Sequence, residues 1–100
     1  MVEISPGRAW PEEPHFPLGR TVATRGAMTE VVMEAMYEAL ARHERADWGE
    51  VCTEDKAENN RALENGGRLM SVWTDPQGTK FWIITEADRS VTTVLLPEEY

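Results

Sequence analysis

The chain is poor in the groups that most chemistry requires. One cysteine, Cys52, excludes an intramolecular disulfide and suits a reducing compartment. Two histidines, His15 and His43, make only three N/S candidates for metal, too few for a structural zinc site and with none of its close ligand pairs. Lys and Arg together number 10 against 18 acids, for a net charge of −8, which disfavours direct binding to nucleic acid. No apolar run approaches the roughly 18 residues of a membrane span. The first residues, "MVEISPGRAWPEEPHFPLG", hold no apolar core of signal-peptide length. A cytoplasmic protein without a membrane partner is expected. No glycine-rich phosphate loop occurs, so no cofactor is expected.

What remains is one domain of 100 residues. A chain of this size buries roughly 65% of its unfolded surface, enough to fold without metal or disulfide. Residues 1–17 hold four of the 6 prolines and read as a flexible tail, with Trp10 and Phe16 as optional docking points. Residues 18–100 read as the domain.

"GRTVAT" (19–24) is short and β-branched and predicts a first strand, with the chain turning at Arg25 and Gly26. Met28, Val32, Met36, Ala39, Leu40 and His43 then recur at helical steps and predict one two-sided helix. Gly49 suggests a bend. "CTEDKAENNRALENGG" reads as a second helix, capped by Thr53 and stopped by Gly66 and Gly67, with a thin apolar face of Ala57 and Leu63. "RLMSVW", "KFWII" and "VTTVLL" predict a meander. Its first turn carries Asp75, Pro76 and Gly78, and residues 80–84 are apolar on both faces, as in a covered central strand. The predicted class is α+β, in the order β-α-α-β-β-β. A mostly antiparallel sheet of about four strands packs against two helices.

Three groups of polar residues invite a functional reading. In the first, "HERADWGEVCTEDKAENN" gathers His43, Asp47, Trp48, Asp55, Asn59 and Asn60 around one bend. Asp55 and Asn59 share a helical face and could bind a polar ligand or cation. The same residues could simply fasten the bend to the sheet, with Trp48 as a buried anchor. His43 lies on the apolar stripe near a helix C-terminus, where a packed or capping histidine is the ordinary case and a proton is mildly favoured. Pairing with Cys52 as a nucleophile is opposed by Glu50 and Glu54, which raise a thiol pKa.

In the second, Glu86, Asp88 and Arg89 interrupt the β-forming end of the chain. Paired carboxylates do acid–base work only where a cleft separates their pKa values. The ordinary reading is a turn stiffened by an Asp–Arg pair.

The third is an acidic surface. Residues 30–64 carry ten acids against four bases, with Glu30, Glu34 and Glu38 at four-residue intervals. A solvated face is the default, and the alternative is a surface that meets a basic groove and mimics phosphates.

The stretches "FPLGRTVATRGA", "ARHERADWGEVCTEDKAENNRAL", "GGRLMSVWT" and "TKFWIITEADRSVTTVLLPEEY" resemble a family of small bacterial, plasmid and prophage proteins, over residues 16–100. Members are labelled plasmid-related protein or type I restriction subunit. The resemblance implies a protein carried on mobile elements or beside defence genes. It singles out His43, Asp47, Trp48, Gly49, Asp55, Asn59, Glu86, Asp88, Arg89 and Thr92.

The favoured expectation is a non-catalytic protein-interaction module. In its sharper form it is an acidic inhibitor of a nucleic-acid-processing or defence enzyme, with a protein partner that presents a basic, nucleic-acid-binding surface. Its partner-facing residues would be Glu30, Glu34, Glu38, Asp47, Trp48, Glu54, Glu58 and Arg89. Two alternatives stand beside it. One is a small hydrolase or nuclease built on His43, Asp47, Asp55, Glu86 and Asp88. The other is a small-ligand sensor with Trp48, Trp73 and Trp82 around a cleft.

Overall fold

A computed structural model describes residues 1–5 and 14–100. The described elements run β1 (Val2–Glu3), β2 (Arg20–Ala23), α1 (Arg25–Glu30), α2 (Met33–His43), α3 (Thr53–Asn65), β3 (Leu69–Thr74), β4 (Lys80–Thr85) and β5 (Val91–Leu95). A 3-10 turn at Pro97–Glu99 closes the chain. The strands form one sheet in the order β1-β2-β5-β4-β3. All pairs are antiparallel except β2 with β5. The class is α+β, with five strands rather than four and three α-helices rather than two.

The meander forms as its alternation predicts. Ser71 lies opposite Ile83, Trp73 opposite Phe81, Ile83 opposite Val94 and Thr85 opposite Thr92, so all of these share one face. Met36, Ala39 and Leu40 of α2 are buried in the same core as Leu69, Trp73, Phe81, Ile83 and Val94. That core also takes in Trp48, Phe16 and Leu18. Removing this apolar surface from water is the main favourable term of the fold.

The long helix expected from residue 28 onward is broken. Val31 and Val32 are both extended, and α1 ends before them. The period continues through the break, so periodicity alone does not reveal it. The cause is distant: the Asp75 carboxylate accepts the Val32 N–H at 3.0 Å. Its other oxygen accepts from Gln77 and Thr79 within its own turn. Val32 N–H and these turn amides hold the Asp75 carboxyl below the usual carboxylate range. The expected turn at Arg25 and Gly26 is instead the first turn of α1, capped by the Thr24 hydroxyl.

Residues 1–17, expected as a tail, are held at both described ends. Val2 and Glu3 pair with β2, Ile4 donates to the Thr21 carbonyl at 2.8 Å, and Ile4 and Phe16 are buried. The free edge of β2 supplies the pairing that the extra strand satisfies. Trp10 lies outside the described residues.

The opposite edge, β3, is covered by means other than a strand. The Asn59 amide donates to the Met70 carbonyl at 2.7 Å and accepts the Met70 N–H at 3.1 Å. Glu50 donates to Val72 at 2.8 Å, and Val72 donates to Trp48 at 3.2 Å. Gly49 makes this approach feasible, because its φ is +68° and a Cβ there would meet the Val72 carbonyl at 2.2 Å. Asn59 is the buried residue of α3, which fits the thin apolar face; Ala57 is exposed. Cys52 rather than Thr53 occupies the N-cap, and Gly66 ends the helix as expected.

Residues 80–84 lie inside the sheet, between β5 and the β3 edge, while β5 is the middle strand of the five; only the inner face of residues 80–84 lies under the helices. On the other face Trp82 meets the Tyr100 ring at 5.5 Å, and Arg68 donates to the Tyr100 hydroxyl at 2.8 Å. Asn59→Asp should lower stability by about 2 kcal/mol, because a carboxylate would oppose the Met70 carbonyl. Urea unfolding checks this, together with faster hydrogen exchange at Met70; an unchanged midpoint would refute it.

Candidate functional site

His43 enters the core from the last turn of α2 and is fully buried. Its Nδ1 lies 2.6 Å from Ser71 Oγ and its Nε2 lies 2.9 Å from Thr85 Oγ1. The directions of these bonds follow from the far end. The Leu18 carbonyl can only accept, so the Thr92 hydroxyl donates to it at 2.6 Å. Thr92 Oγ1 therefore accepts from Thr85 at 2.8 Å. With its proton spent, Thr85 accepts from His43 Nε2–H. Nδ1 is then a bare acceptor for the Ser71 hydroxyl, and Ser71 Oγ accepts the Trp73 indole N–H at 2.6 Å. One directed chain thus runs from Trp73 to Leu18 and fixes the imidazole as the neutral Nε2–H tautomer.

A second proton at Nδ1 would face a Ser71 oxygen that already takes the indole proton, and would leave the Ser71 hydroxyl without its acceptor. Burial, with the Arg89 charge in addition, lowers the His43 pKa from 6.5 to about 3. The helix-terminus expectation of a favoured proton is therefore overturned by desolvation. A serine–histidine contact of this length suits a nucleophile and its base, but Ser71 and His43 each have 0% exposure, so no substrate reaches them. Both ring nitrogens are engaged away from Cys52, which is exposed.

The remainder of the first polar group fastens the bend. Burial works to raise the Asp47 pKa. Bonds from the Gly49 amide and the Arg42 guanidinium outweigh it and hold the carboxyl below the usual range. Trp48 is buried, stacks on Phe16 at 6.3 Å and donates to Asn60 Oδ1 at 3.0 Å. Asn59 is committed to β3, so it does not share a ligand with Asp55, which is exposed in the first turn of α3.

The second group is a turn, but not through an Asp–Arg pair. Asp88 accepts from the Ser90 hydroxyl and amide, which hold its carboxyl below the usual range. Glu86 pairs with Arg68 at 3.4 Å. Arg89 has φ +62° and spreads its guanidinium over backbone oxygens of Ala62, Gly67, Glu86 and Ala87. The same guanidinium lies over the Phe16 ring at 5.7 Å. His43 of the first group bonds to Thr85, and Thr85 to Thr92, the strand residues on either side of the second group; among the described residues Glu86, Asp88 and Arg89 themselves bond to other partners. Ser71 and Thr85 went unnoticed in the sequence, although both are polar residues at inward-facing positions of otherwise apolar strands.

Of the residues assigned to a partner surface, Trp48 is buried and Arg89 is committed to carbonyls. Asp47 is tied to Arg42. Glu30, Glu34, Glu38, Glu54 and Glu58 are exposed. The break at residues 31–32 separates Glu30 from Glu34 and Glu38, so the acidic stripe is not continuous along one helix. Glu38 pairs with Arg42 at 3.8 Å, and Glu58 pairs with Arg61.

A groove of about 490 Å³ runs between α2 and the β3–β4 hairpin. Its helix wall is Glu34, Ala35, Glu38, Ala39 and Arg42. Its hairpin wall includes Trp73, Asp75, Pro76 and Phe81. Trp82 points to the other side of the sheet from Trp73, so the three tryptophans of the sensor reading do not line one cleft. Among the described residues no group of three His, Cys, Asp or Glu side chains could hold a metal, and no helix is long and apolar enough to cross a membrane. Comparison with family models, curated proteins and solved structures finds no match.

Proposed function

We propose that the protein is a non-catalytic interaction module whose acidic helical exterior docks on a basic surface of a protein partner. A nucleic-acid-processing or defence enzyme presents such a surface to phosphates. A module carried on mobile elements is what the resemblance noted in the sequence would imply, and the single free thiol suits work in the cytoplasm. One observation carries the reading. His43, Asp47 and Asp88 are spent on internal hydrogen bonds and Glu86 on Arg68, while Glu30, Glu34, Glu38, Glu54 and Glu58 are exposed. Glu34 and Glu38, like Glu54 and Glu58, are like charges four residues apart on one helix, an arrangement that disfavours the helix unless a cation answers it. Arg42 and Arg61 answer in part.

The test is capture from a lysate of the source organism at low and high salt, with Glu30→Gln/Glu34→Gln/Glu38→Gln as the comparison. A partner should be held at low salt, released by high salt and displaced by duplex DNA. The triple variant should associate about tenfold more slowly. Recovery of no partner at low salt, or equal retention by the triple variant, would sink the reading.

A further inference from the structure

The groove between α2 and the β3–β4 hairpin has a composition that selects its occupant. It exists because Ala35 and Ala39, one turn apart, put methyl groups where larger side chains would fill the space. Half-buried Val32 and Ala35, with exposed Pro76, give it a reachable apolar floor. Its exposed rim carries Glu34 and Glu38 against Arg42, which pairs with Glu38 and leaves Glu34 unanswered. Glu34 makes no ion pair among the described residues and is exposed. Asp75 is buried beneath this rim, with both its oxygens taken by backbone N–H groups.

The chain itself illustrates what this lining holds. The Arg42 guanidinium lies over the Trp73 ring at 5.0 Å, with Asp47 at 2.9 Å and Glu38 at 3.8 Å beside it. The lining thus already holds one guanidinium beside a carboxylate of α2, and Glu34, one turn before Glu38, offers a carboxylate to a second. The volume exceeds the need of one side chain and leaves room for a neighbouring apolar residue.

We infer that this groove receives an extended segment of a partner protein in which arginine alternates with aliphatic residues. The guanidinium lies between Glu34 and Glu38, and the aliphatic neighbour rests on Val32, Ala35 and Pro76. The inference rests on the interaction reading above and names the partner chemistry of that acidic face.

The probe is a capped peptide, leucine–arginine–valine–arginine–leucine, titrated into the labelled protein and followed by amide and indole NMR shifts. Saturable shifts should centre on residues 32–39 and 73–76 and on the Trp73 indole. A peptide with glutamate in place of arginine should cause none. Glu34→Gln/Glu38→Gln alters exposed positions and leaves the fold intact; it should weaken binding by about tenfold. Ala35→Leu should block binding by filling the floor.

No saturable shift, shifts centred elsewhere, or undiminished binding by the double variant would overturn the inference. Spermidine giving the same shifts with the same affinity would also overturn it, since a free polycation would then suffice. The two proposals fail separately. A lysate partner that Ala35→Leu still retains removes the groove and leaves the interaction module standing. A groove that takes the arginine peptide while the lysate yields no partner removes the wider reading alone.

Discussion

His43→Gln is expected to lower stability at neutral pH by about 2–4 kcal/mol and to flatten the stability profile between about pH 6.5 and 5. The loss has two sources. Glutamine cannot pack as the imidazole does, edge-on to Phe16 at 5.4 Å and to Trp48 at 5.5 Å. It also cannot span Ser71 and Thr85 with the same reach, so one buried hydroxyl is left without its partner. The pH effect follows from linkage. In the fold the His43 pKa is lowered from 6.5 to about 3. Between those values the unfolded chain binds a proton that the native protein does not. Stability is therefore full above 6.5 and falls as pH drops, by about 1.4 kcal/mol per unit and by about 5 kcal/mol over the whole window. Asp75, Asp88, Asp47 and Glu99 also have lowered pKa values, but they withdraw their contribution only below about pH 4, where unfolded carboxylates take up protons. The interval from about pH 6.5 to 5 is thus diagnostic for the imidazole. Urea unfolding in pH steps reads the slope, and ring nitrogen shifts read the tautomer. A native protein equally stable at both ends of that interval, or an imidazole that titrates near 6.5, would refute the directed chain.

That chain also marks how far the sequence reaches. The period of α2, the alternation of β3 to β5, the Asp75–Gly78 turn and the Gly66 stop were all legible, because each is set by residues a few positions apart. The α1–α2 break was not, because apolar residues continue through Val32 while the group that interrupts the helix, Asp75, is 43 residues away. The two residues of β1 carry no pattern at all. His43 was visible as an inward residue, and so was each threonine taken singly. Their connection depends on strand register, which places Thr85 beside Thr92 and turns both toward α2. The acidic surface was legible in composition. The groove beside it was not, because Ala35 and Ala39 read as ordinary helix formers until the hairpin is set opposite them.

Arg89 is the second position where a large effect is expected, and it shows how a turn residue supports a core. Its neighbours Asp88 and Glu86 suggest a local ion pair, yet its guanidinium goes to the Ala62 carbonyl at 3.0 Å near the end of α3, to Gly67, and to Glu86 and Ala87 in its own turn. Arg89→Ala would leave these oxygens without a common donor and remove the cation from the Phe16 face, lowering stability by about 2–4 kcal/mol. Arg89→Lys keeps the charge but not the planar fork, and should recover less than half of that loss. Arg89→Gln separates charge from shape, since it retains an amide donor while removing the positive field at His43. The His43 pKa should then rise from about 3, but stay well below 6.5, because burial is the larger cause and persists. The acid-sensitive window therefore narrows from its lower end. Nitrogen NMR of the imidazole at low pH measures this directly. The double variant Arg89→Gln/His43→Gln should show less than the summed loss of the single variants, because the packing that Arg89 supports around Phe16 is the packing the imidazole fills. If the two losses add fully and the His43 pKa is unmoved in Arg89→Gln, the turn at residues 86–90 and the end of α2 are energetically independent, and the buried chain is sustained by Ser71 and Thr85 alone.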